Sequence, residues 1–183
     1  MSHKYKFRNQ EGMFFITFGV VRWVDVFTRD IYREILIDSI KHCQIEKGLI
    51  LHGYVIMTNH VHFIASAKPG FFLSNIMRDL KKFTSVNIIN AIMGNSEESR
   101  KSWMLKIFEF EGSRSSFNTK YKFWQNGNHP IELTDNKIMD QKLGYIHNNP
   151  VKAGFVIEPE YYPYSSARDY AGMKGYLDVD LLL

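Results

Sequence analysis

The chain has 183 residues, a length typical of one domain with a substantial hydrophobic core. Its formal net charge of +4 suits a polyanionic partner, but an ordinary surface excess of lysine gives the same value. The single cysteine, Cys43, excludes an intrachain disulfide framework and a cysteine zinc site. Because the sequence has no signal-like apolar segment and no run of 18 apolar residues, we expect a cytoplasmic protein without a membrane span.

Apolar and β-branched residues recur with strand and helix periods along the first half of the chain. They predict a strand over 13–26, a helix over 28–47 capped by Thr28 and ended by Gly48, strands over 49–57 and 60–66, and a helix over 73–93. Leu73, Ile76, Leu80 and Phe83 define the predicted apolar face of that second helix.

The second half is less regular. It predicts a helix over 99–110, a short strand or two within 123–133 around Gly127, and a helix over 135–149 opened by Thr134 or Asp135. The sequence assigns no function to the segment 94–121. Two long helices beside an antiparallel sheet predict an α+β, ferredoxin-like fold, with one domain over 1–183 and its core at about 13–170.

The most informative short motif is His60-Val61-His62, within an apolar strand. Side chains alternate along a strand, so the two imidazoles point to one face, with Cα atoms roughly 6–7 Å apart. Neutral imidazole is a common transition-metal ligand. For an isolated pair of this kind, one solvent-facing histidine and one hydrogen-bonded core histidine are the more common explanation.

Tyr145 and Asn149 are four residues apart on the last predicted helix, so both side chains lie on one face. A phenol is a weak nucleophile unless a metal neutralises the phosphate under attack, and an amide oxygen suits Mg²⁺ or Mn²⁺. The alternative is structural: Tyr145 as an amphipathic helix residue, and Asn149 as a helix terminator before Pro150.

Several further positions are candidate contacts for nucleic acid. Arg78, Lys81 and Lys82 form a predicted basic helix face, joined by Lys120 and Lys122 in a later loop. Unpaired bases could stack on aromatic residues, although packing is the better explanation for most of them. The candidates are Phe123, Trp124, Tyr161, Tyr162 and Tyr164. Gln125 and His129 are candidates to line a site, with turn residues as the alternative.

Five segments carry a resemblance to a known family, in that family's order and over about 14–170. They read TNHVHFIA, LSNIMRDLKKFTS, FWQNGNHPIEL, YIHNNPVKAGFV and YPYSSARDY. The sequence resembles the single-tyrosine HUH transposases, the IS200-like transposase family, and within them the REP-associated tyrosine transposases. The H-x-H pair alone is unspecific, whereas its combination with Tyr-x-x-x-Asn-Pro-Val-Lys-Ala-Gly is specific.

The resemblance implies an HUH fold with the tyrosine on a C-terminal helix near the two histidines. By position, His60, His62 and Asn149 would hold a divalent metal, Mg²⁺ or Mn²⁺, and Tyr145 would be the nucleophile. The implied enzyme nicks and rejoins single-stranded DNA next to hairpins through a 5′-phosphotyrosine, and would be nucleoid-associated.

Two other functions stay open from the residues. The chain could be a domesticated module that binds structured single strands without cutting, because basic and aromatic residues serve both roles. A zinc hydrolase built on His60 and His62 lacks a convincing third ligand and general base at a familiar spacing. The target hairpin, the cleavage sequence, the physiological metal, the oligomeric state (monomer or homodimer) and the mobility of the gene do not follow from the sequence.

Overall fold

The computed structural model describes residues 7, 9, 11–115 and 120–182. The strands are β1 (Phe14–Gly19), β2 (Leu49–Ile56), β3 (His60–Ala67) and β4 (Ile131–Glu132). The helices are α1 (Asp30–Glu46), α2 (Leu73–Gly94), α3 (Lys101–Ser113), α4 (Asn136–Lys152) and α5 (Ala167–Tyr170). Within this part of the chain, no helix is both long and apolar enough to cross a membrane.

The four strands form one antiparallel sheet in the order β2-β3-β1-β4. This order, with α1 between β1 and β2 and α2 following β3, is the predicted ferredoxin-like arrangement. The register places Thr17 opposite His62 and Gly19 opposite His60 in the central pair of strands. The histidine strand is therefore an interior strand, as the sequence predicts.

Strand alternation divides the sheet into two unlike faces. On one face, Ile16 and Phe63 are fully buried in the main core together with Leu36 of α1 and Leu80 of α2. The opposite face carries a smaller cluster that includes Phe15, Ile64 and Ile146 of α4. The site histidines belong to this second face, because His60 and His62 alternate with Val61 and Phe63.

The first predicted strand is too long. β1 ends at Gly19, and two 3₁₀ turns, Val21–Trp23 and Val26–Thr28, replace the predicted extension to residue 26. Residues 20–26 contain four buried valines. The apolar pattern of this segment therefore reflects burial in the core, although the segment lacks the continuous ladder of backbone hydrogen bonds to a neighbouring strand that defines a β-strand. Thr28 does not cap α1, because the N-cap position is occupied by Arg29. The Thr28 hydroxyl instead donates to the carbonyl of Asp25.

The helices also correct details of the prediction. Phe83 is 59% exposed, and the buried face of α2 instead continues through Met77 and Thr84. The predicted stop before Pro150 is wrong, since α4 continues to Lys152. A helix tolerates proline here at the cost of one backbone bond to the Ile146 carbonyl, four residues earlier.

Two predicted helix boundaries, the end of α1 at Gly48 and the start of α4 at Asp135, are confirmed. Gly48 follows the C-cap of α1, Lys47, with φ +69°, a conformation that glycine adopts without a steric penalty. Asp135 caps α4 by accepting a hydrogen bond from the Ile138 amide at 2.9 Å. This cap sets where α4 begins and hence which residues it carries over the sheet.

Candidate active site

Helix α4 brings Tyr145 and Asn149 to the sheet face that carries His60 and His62. The two imidazole centroids are 4.8 Å apart, and the ring of Tyr145 lies 5.2 Å from that of His62. All four residues line one cavity of about 590 Å³. Its remaining lining residues are Phe15, Thr17, Trp23 and Lys142.

Hydrogen bonds determine the tautomer of His60. The Asn59 amide nitrogen donates to Asp25 Oδ1 at 2.9 Å and to the Trp23 carbonyl at 3.3 Å, and both of these groups only accept. The Asn59 carbonyl oxygen must therefore face His60 Nδ1, 2.7 Å away. Because that oxygen also only accepts, Nδ1 carries the proton and Nε2 carries the free lone pair.

His62 is held from the neighbouring strand. Its Nδ1 lies 2.8 Å from the Thr17 hydroxyl, which can donate or accept, and its buried Nε2 has no partner in the described part of the chain. A buried nitrogen without a partner is costly unless a ligand occupies it. His62 Nε2 therefore fits a metal-binding role.

Burial favours the neutral form of both histidines by lowering the pKa of each imidazole. Burial, assisted by His60 and Lys142, lowers the pKa of His62 to about 3. Burial also lowers the pKa of His60, partly offset by the Asp25 carboxylate. Neutral imidazole is the form that binds metals. Among the described residues no group of three His, Cys, Asp or Glu side chains converges as a metal site, so any third protein ligand here is of another type.

Asn149 is the amide that the cavity offers as such a ligand. It lies one helical turn after Tyr145 and lines the same cavity as the imidazoles. Two nitrogens and one amide oxygen would leave coordination positions open for water or phosphate oxygens, as a hard divalent cation requires. The donor set thus fits Mg²⁺ or Mn²⁺ bound together with a phosphate.

Tyr145 presents its phenol at the surface of this cavity. The residue is 42% exposed, and its ring also packs edge-on against Phe15 at 5.9 Å. Two cations flank the ring, with Lys142 Nζ and Lys152 Nζ each 6.0 Å from its centroid. A phosphate that approached the phenol would therefore enter a positive field.

Three tyrosines of the C-terminal segment are fixed in place by hydrogen bonds from their hydroxyls. The hydroxyl of Tyr162 donates to the Ile56 carbonyl, that of Tyr164 to Asp30, and that of Tyr170 to the His52 carbonyl. Burial raises the pKa of Tyr162 and of Tyr170, and raises that of Tyr164 to about 12. These three phenols serve the packing of the C-terminal segment on the sheet.

The predicted basic residues share a separate groove of about 760 Å³ between α2 and residues 120–128. Its cationic lining is Arg78, Lys81, Lys82, Lys120 and Lys122. Lys81 differs from the others because its ammonium donates to the carbonyls of Gln125 and Gly127 and to Asn128 Oδ1. Burial and the nearby Lys122 lower the pKa of Lys81 to about 8. Lys81 therefore holds the turn at 125–128.

Two other groups of candidates are placed away from the site cavity. Gln125 lines the basic groove, and its side-chain amide donates to the Val20 carbonyl; neither Gln125 nor His129 lines the site cavity. Phe123 and Trp124 are buried in the main core and cannot stack on a base. Tyr161, in contrast, is exposed.

Sequence reasoning missed five residues of the site: Phe15, Thr17, Trp23, Asn59 and Lys142. Lys142 could have been found, because it precedes Tyr145 by three residues and so shares its helix face. Asn59 directly precedes His60, but its role depends on Asp25, which is distant in sequence. The position of Thr17 beside His62 depends on the pairing of β1 with β3, and that of Trp23 depends on an irregular turn. Neither arrangement has a signal in the local sequence.

Comparison with known proteins finds similarity to transposases in both sequence and structure. The family model described as transposase IS200-like matches residues 15–149. A solved REP-associated tyrosine transposase bound to a REP hairpin is similar, with TM-score 0.67 and 20% identity, covering 100% of this chain and 94% of that one. A candidate transposase from Deinococcus radiodurans R1 has TM-score 0.43 and 16% identity, covering 80% and 97%. No curated protein matches the sequence.

The fold is therefore that of a REP-associated tyrosine transposase, shared over the whole chain. The family model spans most of the sequence and includes His60, His62, Tyr145 and Asn149. This chain belongs to the IS200-like transposase family, as its sequence motifs predict.

Proposed function

We propose that this protein is a metal-dependent transferase of single-stranded DNA that nicks and rejoins strands next to hairpins. The observation that carries the proposal is the convergence of His60, His62, Tyr145 and Asn149 on one cavity. The solved relative bound to a REP hairpin supports structured DNA as the partner. The groove lined by Lys82, Lys120 and Lys122 offers phosphate contacts that carry no sequence information.

In the proposed reaction the Tyr145 oxygen attacks the phosphorus of the scissile phosphodiester and loses its proton. The bond from phosphorus to the 3′ oxygen breaks, and that oxygen takes up a proton, leaving a free 3′-OH and a 5′-phosphotyrosine. A divalent cation held by His60, His62 and Asn149 would neutralise the phosphate under attack. Rejoining is the reverse attack of a 3′-OH on the phosphotyrosine.

The residues around the phenol have distinct roles in this scheme. Lys142 and Lys152, each with its ammonium 6.0 Å from the centroid of the Tyr145 ring, would attract the DNA backbone. Phe15 packs edge-on against the Tyr145 ring, with centroids 5.9 Å apart, and so helps to position the ring on the sheet. Because nucleophile and third ligand share α4, their separation is set by the helix itself.

Cleavage of a hairpin oligonucleotide with single-stranded flanks tests the proposal. The wild-type protein with Mn²⁺ should give a nicked product, and chelation should abolish it. The double variant His60→Ala/His62→Ala should bind the oligonucleotide but not nick it, because stacking and phosphate contacts do not require the metal. His42→Ala, an exposed histidine of α1, is the matched control and should cleave normally.

Undiminished cleavage by the double histidine variant would contradict the metal role. Tight binding without cleavage by the wild-type protein, over a range of hairpins and with either Mg²⁺ or Mn²⁺, would favour the alternative of a domesticated binding module.

A further inference from the structure

Trp23 is a large apolar side chain that the fold leaves open to solvent beside the candidate active site. It is 55% exposed and lines the site cavity. Its indole lies edge-on to His60, with ring centroids 5.8 Å apart. Single exposed aromatics are common on protein surfaces, so exposure alone indicates nothing.

The backbone that carries Trp23 is unusual. Arg22 and Trp23 have φ of +53° and +54°, and two successive residues with a Cβ rarely adopt this left-handed conformation. Such backbone persists where surrounding contacts hold it, and it clusters at functional sites. Here Arg22 is paired with Glu111 at 2.6 Å, and the Trp23 carbonyl accepts from Asn59.

The sheet also leaves space for the indole. Gly19 lies opposite His60 in the register, and a Cβ at Gly19 would be 3.3 Å from an indole carbon of Trp23. A side chain there would displace the ring. The strained turn and Gly19 therefore both place the indole next to His60.

We propose that Trp23 is a stacking platform for an unpaired nucleobase next to the scissile phosphate. This inference rests on the proposed function, because it assumes that a DNA strand enters the cavity. An indole offers a wide π surface to any base, and stacking on aromatic residues is tolerant of sequence. A nucleotide stacked there would lie in the same cavity as His60 and Tyr145, which share its lining with Trp23.

The test compares oligothymidylate with a base-free sugar–phosphate oligomer of equal length. Binding is measured by fluorescence anisotropy without divalent metal, at one salt concentration, in the Tyr145→Phe background so that no cleavage occurs. For the parent protein we expect the bases to add to affinity, and Trp23→Ala to reduce oligothymidylate affinity roughly 5- to 100-fold. Trp23→Ala should not change the affinity for the base-free oligomer. Trp23→Phe, which keeps an aromatic ring, should retain most of the oligothymidylate affinity that Trp23→Ala loses.

Trp103 provides the matched control, since it is 44% exposed on α3 and does not line the cavity. Trp103→Ala should leave both affinities unchanged. The Trp103→Phe variant keeps Trp23 and the buried Trp124, and oligothymidylate should quench its indole fluorescence. The Trp23→Phe variant keeps Trp103 and Trp124, and its fluorescence should not change. This second readout reports contact at Trp23 directly.

The possible failures are distinguishable. Equal oligothymidylate affinity for the parent and Trp23→Ala proteins would overturn the stacking role and leave the proposed function standing. An equal loss for both oligomers would also overturn it, because the indole would then support the site without contacting a base. If the parent protein binds neither oligothymidylate nor hairpin DNA, both proposals fail.

Discussion

Replacing Asn59 with leucine removes the hydrogen bonds that set the tautomer of His60 while keeping a similar volume. The variant loses the amide bond to the Asp25 carboxylate at 2.9 Å and the contact of 2.7 Å to His60 Nδ1. Asp25 keeps its bond from the Thr58 hydroxyl at 2.6 Å, so its carboxylate is not left unpaired. We therefore expect a loss of about 1.5–3 kcal/mol in unfolding free energy, typical of one hydrogen bond to a charged group.

The larger expected effect is on metal binding. Without Asn59, His60 is free to place its proton on Nε2, the nitrogen that faces the cation in the proposed site. Loss of a residue that orients a metal-binding histidine typically lowers affinity 10- to 100-fold, or about 1.4–2.8 kcal/mol. Mn²⁺ titration by calorimetry measures this directly. Asn87→Leu, at a partly buried asparagine of α2 whose side chain donates to the Phe83 carbonyl of the same helix, is the matched control.

The tautomer itself is measurable in the metal-free protein by ¹⁵N NMR of the histidine side chains. Wild-type His60 should show a protonated Nδ1 and an unprotonated Nε2, and Asn59→Leu should show a substantial Nε2–H population. If the variant keeps the Nδ1–H form, or binds Mn²⁺ as tightly as the wild type, the assignment of this role to Asn59 is wrong.

Three further predictions concern stability and binding. Gly144→Ala should stabilise the protein by up to about 1 kcal/mol in urea unfolding, because no atom lies within 4 Å of the added Cβ; destabilisation would show crowding that the structure does not contain. Hydrogen bonds from Arg100 lower the pKa of Glu98 from its ordinary 4.5 to about 2, so its contribution to stability is present above pH 4.5 and is lost as pH falls towards 2. Glu98→Gln should flatten this pH dependence, and an unchanged profile would refute the role of the ion pair. Lys82→Gln/Lys122→Gln should reduce the slope of log affinity against log salt for single-stranded DNA by about 1.4, whereas Lys41→Gln outside the groove should not.

Much of the fold could be predicted because its signals are local. The alternation around His62 identifies an interior strand. The predicted end of α1 at Gly48 and the predicted start of α4 at Asp135 follow from backbone chemistry. The turn at 20–26 could not be predicted, because buried valines satisfy a strand pattern and an irregular core segment equally well. Likewise, the helical period of α2 places Phe83 near its apolar face, but it does not tell whether the neighbouring elements cover that position.

The candidate site divides in the same way. His60 with His62, and Tyr145 with Asn149, are pairs within single elements, so periodicity alone places each pair on one face. That the two pairs share a cavity depends on how α4 packs against the sheet, which the sequence motifs indicate only through the family resemblance. Lys81 shows the opposite case: its position on a basic face predicts a phosphate contact, but its ammonium binds the 125–128 turn.

The most direct test of the proposed chemistry is the covalent capture of DNA by Tyr145. A hairpin oligonucleotide labelled on the 3′ side of the expected nick should form a denaturation-resistant adduct with the wild-type protein. Proteolysis and mass spectrometry should place the 5′-phosphate on Tyr145. Tyr145→Phe keeps the edge-on ring packing against Phe15 and His62 but removes the attacking oxygen, so it should fold and bind the oligonucleotide while forming no adduct. Tyr161→Phe, which alters an exposed tyrosine outside the cavity, should form the adduct normally. An adduct that persists in Tyr145→Phe, or that maps to another residue, would contradict the central claim.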